Sequence, residues 1–454
     1  MEHLTEQLIK KWSPVLDHKS LDPITDSLKK SVTATILETT EKVLSNQGMV
    51  FEGNVAGNNL AGNSVASGVG LGDNAGQSLS NFTPILISLI RRSIPQLIAF
   101  DTVGVQPLTM PTGLIFALRS GYADAHSSFK KEALFFEANT SFSGTGTGNG
   151  LLPGDTGIDY ALDAFDAGLG ITTAAGESDN AWPQMGFTIE KTSVDVQTRR
   201  LRADYTLELA QDLKAVHNLD AESELSNILS TEILGEINRE VTRLIYSVAK
   251  PGGTTGTGAV ELGTSTPDIN GRYYGEQWRG LQFLIDRDAI AIAKDTRRGQ
   301  GNYIIVDAET ASALANAKVL DYSTLINPAA GLSNSNPDEI TSTFAGMLGR
   351  LKVFIDPFVT LGKNFYAVGY KGSSPYDAGI FYCPYVPLQL VRAQDPLTFQ
   401  PAIGFKTRYG ITEHPFAGST YAKDVQAKTN GLSSVVPVPH KNKYYRIAVI
   451  KNLI

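Results

Sequence analysis

The sequence predicts an α+β fold, and three observations carry that reading. One amphipathic helix of unusual length covers 220–250. A series of short β-rich runs with turn signals between them lies between 303 and 391. A strong strand, Tyr444–Ile450, stands late in the chain and needs a sheet partner far back in sequence.

The helix is the clearest element. Leu225, Ile228, Leu229, Ile233, Ile237, Val241, Leu244, Ile245 and Val248 recur at steps of three and four, which draws one continuous stripe. Asp220 stands at the N-cap position, and Glu222 and Glu224 lie where the helix dipole favours negative charge. Pro251-Gly252-Gly253 stops the run. At 1.5 Å per residue this is a rod of roughly 45 Å. Glu232, Glu236, Arg239, Glu240 and Arg243 mark the opposite, polar face.

The chain has 454 residues, enough for two or three domains, and its 42% hydrophobic and 19% charged content describes a folded protein. A net charge of -7 argues against a surface given over to nucleic acid, while leaving a local basic patch open. The lone cysteine, Cys383, has no internal disulfide partner, so folding is expected in a reducing, cytoplasmic compartment. The amino-terminal stretch lacks an apolar signal region, and no apolar run has the length of a membrane span, so no membrane partner is expected. The 43 glycines are clustered, which points to extended arms and loops.

In chain order, 1–52 reads as helices of their own. Leu4, Leu8 and Ile9 form one stripe and Val32, Ile36, Val43 and Leu44 another, interrupted by Pro14 and Pro23; the segment reads as a weakly cored appendage. Gly53–Gly76 has one acid, Asp73, and no base, too little apolar surface to fold alone, so it is a linker or an arm ordered by neighbours. Thr83-Pro84 opens a short helix through Ile94. Leu114–Leu118 is strand-like. From Glu132 to Glu190 there is no Lys, Arg or His, and the acids include Glu137, Asp155, Asp159, Asp163, Asp166, Glu177 and Asp179, an acidic surface insertion. Phe187–Tyr205 alternates as a strand and carries Arg199, Arg200 and Arg202. Trp278–Ile285 suggests a helix, Tyr303–Val306 a buried strand and Ala308–Ala317 a helix. Leu351–Ile355, Asn364–Gly369, Ile380–Pro384 and Leu388–Val391 complete the strands.

No catalytic constellation stands out. Gly144–Gly150 lacks the Lys-Ser/Thr ending and the strand–loop–helix frame of a phosphate loop. The six histidines show no metal-ligand spacing, and Asp159, Asp163 and Asp166 read as a solvated face because the calcium-loop pattern is absent. There is no G-x-S-x-G elbow. No cofactor and no metal is expected. The basic run at 199–202 suits ion pairing between subunits better than phosphate.

Ile90-Arg-Arg-Ser-Ile-Pro-Gln-Leu-Ile-Ala-Phe-Asp101, Gly104-Val-Gln-Pro107, Pro111-Thr-Gly113, Tyr205–Lys214, Leu229–Ile233, Glu236–Glu240 and Gly404–Gly410 closely resemble the major capsid proteins of T-even-like contractile-tailed bacteriophages. The resemblance is collinear over about 80–454 and weakest over 1–52 and the acidic insertion. It implies the HK-97-type capsid fold, with segments expected as follows: 1–52 a propeptide-like segment; 53–103 the Gly-rich arm and short helix; 104–200 an extended β-loop with its insertion at about 132–190; 201–289 a peripheral domain with the spine helix; 290–430 an axial domain; 431–454 a strand returning to the peripheral domain. It implies a structural protein, not an enzyme, found in the virion capsid after assembly in the host cytoplasm. Hexamers would build an icosahedral or prolate head around double-stranded DNA, touched nonspecifically. Implied partners are further copies, a vertex or pentamer protein, portal, scaffold, prohead protease, decoration proteins and a host chaperonin. Relatives lose their propeptide after a Glu with an apolar residue two positions before it, a pattern met here at Glu6, Glu38 and Glu52; the resemblance then implies cleavage at Glu52–Gly53, which stands at the helix-to-glycine boundary. Glu232, Glu236, Arg239, Glu240, Arg243, Arg199, Arg200 and Arg202 are the expected inter-subunit contacts. The alternatives are an encapsulin-like nanocompartment shell and, more remotely, an enzyme with a metal or nucleotide site in the acidic Gly-rich region.

Overall fold

The computed structural model describes residues 2–17, 24, 26–55, 94–123, 129–133, 141–145, 169–178, 182–253, 258–263, 269, 273–317, 319–321, 343–359, 363–394, 400–415 and 440–453. The Gly53–Gly76 arm lies almost wholly outside them. So do the helix expected from Thr83, and Asp159, Asp163 and Asp166.

Two helices, α1 (Glu2–Leu16) and α2 (Ser27–Val55), open the chain. After a short helical turn, α3 (Ala99–Thr102), come β1 (Gly104–Val105), β2 (Thr112–Ala123), β3 (Phe129–Glu132), α4 (Thr173–Ser178), β4 (Gln184–Asp195) and β5 (Gln197–Asp204). The alternating run at 187–205 is thus two strands broken at Val196, which lets the first leave the body and the second stay in it. Next come α5 (Leu207–His217), the long helix α6 (Ala221–Val248), β6 (Ala249–Pro251), β7 (Ala259–Glu261) and α7 (Tyr274–Thr296). The rest is β8 (Tyr303–Asp307), α8 (Ala308–Asn316), β9 (Leu320–Asp321), β10 (Thr343–Leu348), β11 (Leu351–Asp356), β12 (Asn364–Gly369), β13 (Ile380–Gln394), β14 (Pro401–Glu413) and β15 (Asn442–Lys451).

Three sheets organise these strands. The first runs β1-β13-β14-β5, the second has eight strands in the order β6-β15-β12-β8-β11-β10-β9 with β7 also on β15, and the third is β3-β2-β4. β13 and β14 pair with each other and through β5 beside the long helix. β15 pairs parallel with β6, directly after that helix, and antiparallel with β12 in the sheet of 303–369.

Helix α6 keeps most of its forecast form. Leu229, Ile233, Ile237, Val241, Ile245 and Val248 are buried, as are Ala221 and Ser226 of the first turns, while Ile228, on the side of the helix away from the buried stripe, is 61% exposed. Asp220 occupies the N-cap but its side chain makes no cap hydrogen bond. The helix ends at Val248, before the proline, because Ala249-Lys250-Pro251 pairs with β15 instead. Beyond it, the buried carboxylate of Asp288 accepts from Gly253 N–H at 3.0 Å and from the Tyr366 hydroxyl at 2.8 Å, fixing the turn. A Cβ at Gly252 would stand 2.4 Å from that carboxylate, so the glycine is required by space.

The amino-terminal helices are not an appendage. Trp12, Leu16, Val32, Ile36 and Leu37 share one core with Ile94, Leu97, Phe100, the stripe of α6 and Tyr382, Leu388, Ile403 and Phe405 of the first sheet. Residues 32–34 and 36–37 are all buried, so α2 is covered on more than one side: by α1, and by the body. Its buried threonines return their hydroxyls to the helix, as in Thr39 to the Thr35 carbonyl at 2.8 Å and Thr40 to Ile36 at 2.7 Å. A second core lies under α7 and α8 against the eight-stranded sheet.

Candidate assembly surfaces

The expected inter-subunit charges divide into two groups. From β5, Arg199 reaches α6, with Nη1 3.1 Å from Glu236 and Nη2 2.7 Å from Glu240. Its Nε donates to the Tyr409 hydroxyl, which in turn donates to Glu240. Burial alone would lower the Arg199 pKa, but Tyr409 and Glu240 outweigh it and raise it. Burial, reinforced by the bond to Glu240, drives the Tyr409 pKa up, so this hydroxyl stays a donor. One turn away Arg239 Nη1 lies 2.6 Å from Asp356, whose side chain is 0% exposed and also accepts from the Tyr246 hydroxyl at 2.9 Å and from Phe358 N–H at 3.1 Å. Arg199, Glu236, Arg239 and Glu240 therefore already have partners inside the chain, with Arg199, Glu236 and Glu240 still about a third exposed. Helical periodicity marks a polar face, but here that face is also covered, by β5 and β14 on one flank and by the ends of β11 and β12 on the other. Glu232, Arg243, Arg200 and Arg202 are exposed. Of these, Arg202 pairs with Asp204 at 2.6 Å on its own strand.

The surface with most to gain from a neighbour is apolar. β2 and β4 pair antiparallel from Thr112↔Asp195 to Ala123↔Gln184, twelve residues each, as a long ribbon. In this register Leu118 faces Ile189 across the strands, Ser120 faces Phe187 and Tyr122 faces Met185. Direct opposites share a face, so Leu114, Phe116, Leu118, Met185, Phe187 and Ile189 line one side. They are 47%, 60%, 61%, 55%, 66% and 59% exposed. The other side is finished near its base, where Ile115 and Val194 pack with Leu108, Phe381 and Cys383. Covering six such side chains contributes roughly 7 kcal/mol. The signal was present in Leu114-Ile-Phe-Ala-Leu118: an unbroken apolar run belongs to a strand covered on both faces, and this chain covers only one.

Glu52–Gly53 falls inside α2, which continues to Val55 rather than ending at Glu52. The bond lies in the helix's final turn, where intrahelical hydrogen bonding is least complete. Residues 28–41 of the same helix are buried or half-buried against α1 and the body. There the Lys29 ammonium is 3.7 Å from Asp101, and Lys371 donates to the Phe100 carbonyl. Burial, in which nearby Asp101 and Lys29 act in opposite senses, lowers the Lys371 pKa to about 8.

Titratable groups elsewhere serve the interior. Burial pushes the Cys383 thiol up to about 12, which makes it a poor nucleophile. Burial also lowers the His414 pKa to about 4, where the ring lies 5.8 Å from Phe381 and 5.7 Å from Tyr444. Among the described residues no three His, Cys, Asp or Glu side chains converge as metal ligands. Of the Gly144–Gly150 run, only Gly144 and Thr145 are described; Thr145 bridges to Leu169.

Comparison with known proteins follows this geometry. The family described as "Major capsid protein Gp23" matches residues 79–450. The major capsid protein of Escherichia phage AR1 is 35% identical, over 98% of this chain and 99% of its own. The capsid vertex protein of Enterobacteria phage T4 is 27% identical over 54% of this chain and 56% of its own. Among solved structures, the capsid of Myoviridae phage XM1 covers 78% of this chain and 91% of its own, with 10% identity and a TM-score of 0.38.

Proposed function

Because this chain belongs to the family of Gp23 major capsid proteins, the shell proteins of T4-like phage heads, we propose that it builds the shell by laying its β2–β4 ribbon over a neighbouring copy. The observation that supports this reading is the ribbon's six-residue apolar face, left uncovered by the chain's own fold. Among the described residues none covers that face; a neighbouring copy can. The oligomer is a hexamer repeated in a closed head. In this reading its partners are a vertex protein, portal, scaffold, prohead protease, decoration proteins, a host chaperonin and nonspecifically held DNA. Within this reading β1-β13-β14-β5 with α6 is the peripheral domain, and the eight-stranded sheet with α7 and α8 is the axial one.

Cleavage at Glu52–Gly53 is part of the same proposal. It would strip α1 and nearly all of α2, uncovering Ile94, Leu97, Phe100, Tyr382 and Leu388. Intact-mass analysis of subunits from finished heads reads it directly: chains starting at Gly53 support it, and chains that retain residue 2 refute it. The shell reading itself is tested with Phe116→Asp/Phe187→Asp. The variant is expected to remain a folded monomer by circular dichroism and to yield no shells by negative-stain microscopy where wild type does. Shells from the variant would overturn the ribbon's role.

A further inference from the structure

The outer face of the first sheet, turned away from α6, carries a second surface. Register sorts its residues. Arg199, Leu201 and Ala203 of β5 point toward α6, so Thr198, Arg200, Arg202 and Asp204 point away. Gly404 and Lys406 lie beside Arg202 and Arg200, and Val391 and Ala393 continue the same face on β13. Together they form an open cleft of about 580 Å³ with an apolar floor at Val391, Ala393 and Gly404 and a cationic rim at Arg200 and Lys406. The face offers positive charge beside apolar surface, so it fits an occupant that carries both carboxylates and apolar side chains.

We propose that this cleft receives the acidic segment 151–168 of a neighbouring copy, a reading that rests on the shell assembly above. The segment belongs to the stretch without Lys, Arg or His. In Ile158-Asp-Tyr-Ala-Leu-Asp-Ala-Phe-Asp166 it interleaves carboxylates with Ile158, Tyr160, Leu162 and Phe165. That combination matches both the rim and the floor. A nucleic-acid backbone would meet the cations but leaves the apolar floor unused. The contact also assigns work to Arg200 and to an insertion that the apolar ribbon leaves without a role.

The test needs no assembled particle, so it is scored whether or not shells form. A fluorescent peptide covering 151–168 is titrated into the full-length chain at low salt and read by anisotropy. The expected result is saturable binding that weakens about 10-fold or more at high salt, because exposed ion pairs are screened. Arg200→Glu/Lys406→Glu should abolish it and Arg243→Glu should not. Both substituted positions on the face are solvent-facing, so thermal melting checks that the fold survives. A peptide carrying Asn at 159, 163 and 166 should fail to bind the unaltered protein, a control that touches only the probe. Absence of binding, or binding indifferent to Arg200→Glu/Lys406→Glu, overturns the proposal. Preferential capture of a short DNA duplex through the same two residues also overturns it and assigns the face to nucleic acid.

Discussion

Helix α6 and the β2–β4 ribbon are of similar length, about 40 Å each by their residue rises, and they meet opposite fates. Most of what α6 presents is answered within the chain, its buried stripe by the first core and Glu236, Glu240 and Arg239 by Arg199, Tyr409 and Asp356, while Ile228, Glu232 and Arg243 stay exposed. The ribbon has one face answered only at its base and the other not at all. A subunit built this way is stable where it must hold shape and incomplete where it must find a copy of itself. The contrast separates folding energy from assembly energy, and substitutions in the two regions should therefore fail in different assays.

The largest expected effect lies on the ribbon. Leu118→Asp replaces one of the six exposed apolar side chains with a charge among the other five and should block shell formation, while the melting temperature of the free subunit, read by calorimetry, stays within error. A large fall in melting temperature would break the contrast, since it would show that the free fold already uses that face. On the helix the reverse is expected. Arg239→Ala leaves Asp356 buried without its cation and should cost about 3 kcal/mol of unfolding free energy in urea titration. If stability is unchanged and only assembly suffers, the charge belongs to an interface after all.

Acid sharpens the same division. His414 takes up a proton near its ordinary value of 6.5 when unfolded but only near 4 when folded. The unfolded chain therefore binds the extra proton between these values, and stability is lost as pH falls from about 6.5 to about 4. The full shift corresponds to about 3 kcal/mol. Subunit stability measured against pH should show this slope and His414→Asn should flatten it, with ribbon variants following wild type. The smallest effect is expected from Arg199→Ala. Its side chain is 37% exposed and the ion pairs are correspondingly screened, so a loss near 1 kcal/mol is expected by urea titration. In a double-mutant cycle Arg199 should couple to Glu240 more strongly than to Glu236, as the 2.7 Å and 3.1 Å separations imply.

What could be read in advance follows the range of the interaction. The long helix and the strands at 303–306 and 364–369 are visible because local periodicity and composition determine them. The helix end at Val248 is not, since it depends on Ala249–Pro251 pairing with a strand near 445. The partners of Arg199 and Arg239 are likewise invisible, because Tyr409 and Asp356 lie more than a hundred residues away. The apolar ribbon lies between these cases. Its strand is legible from Leu114–Leu118, and its missing cover is inferable only once the fold shows what the chain itself supplies.

One feature of the eight-stranded sheet bears on how the molecule comes into being. β15 is inserted between β12 on one side and β6 and β7 on the other, yet it is synthesised after all of them. β12 ends at 369 and β15 begins at 442, a gap of 72 residues, so at about 5–20 residues per second a ribosome needs roughly 4 to 15 s to deliver it. Throughout that interval β12 has one unpaired edge, and β6 and β7 have no strand to join. The nascent subunit must wait with an open sheet, and it is then, rather than in the finished head, that it most needs shelter from other chains.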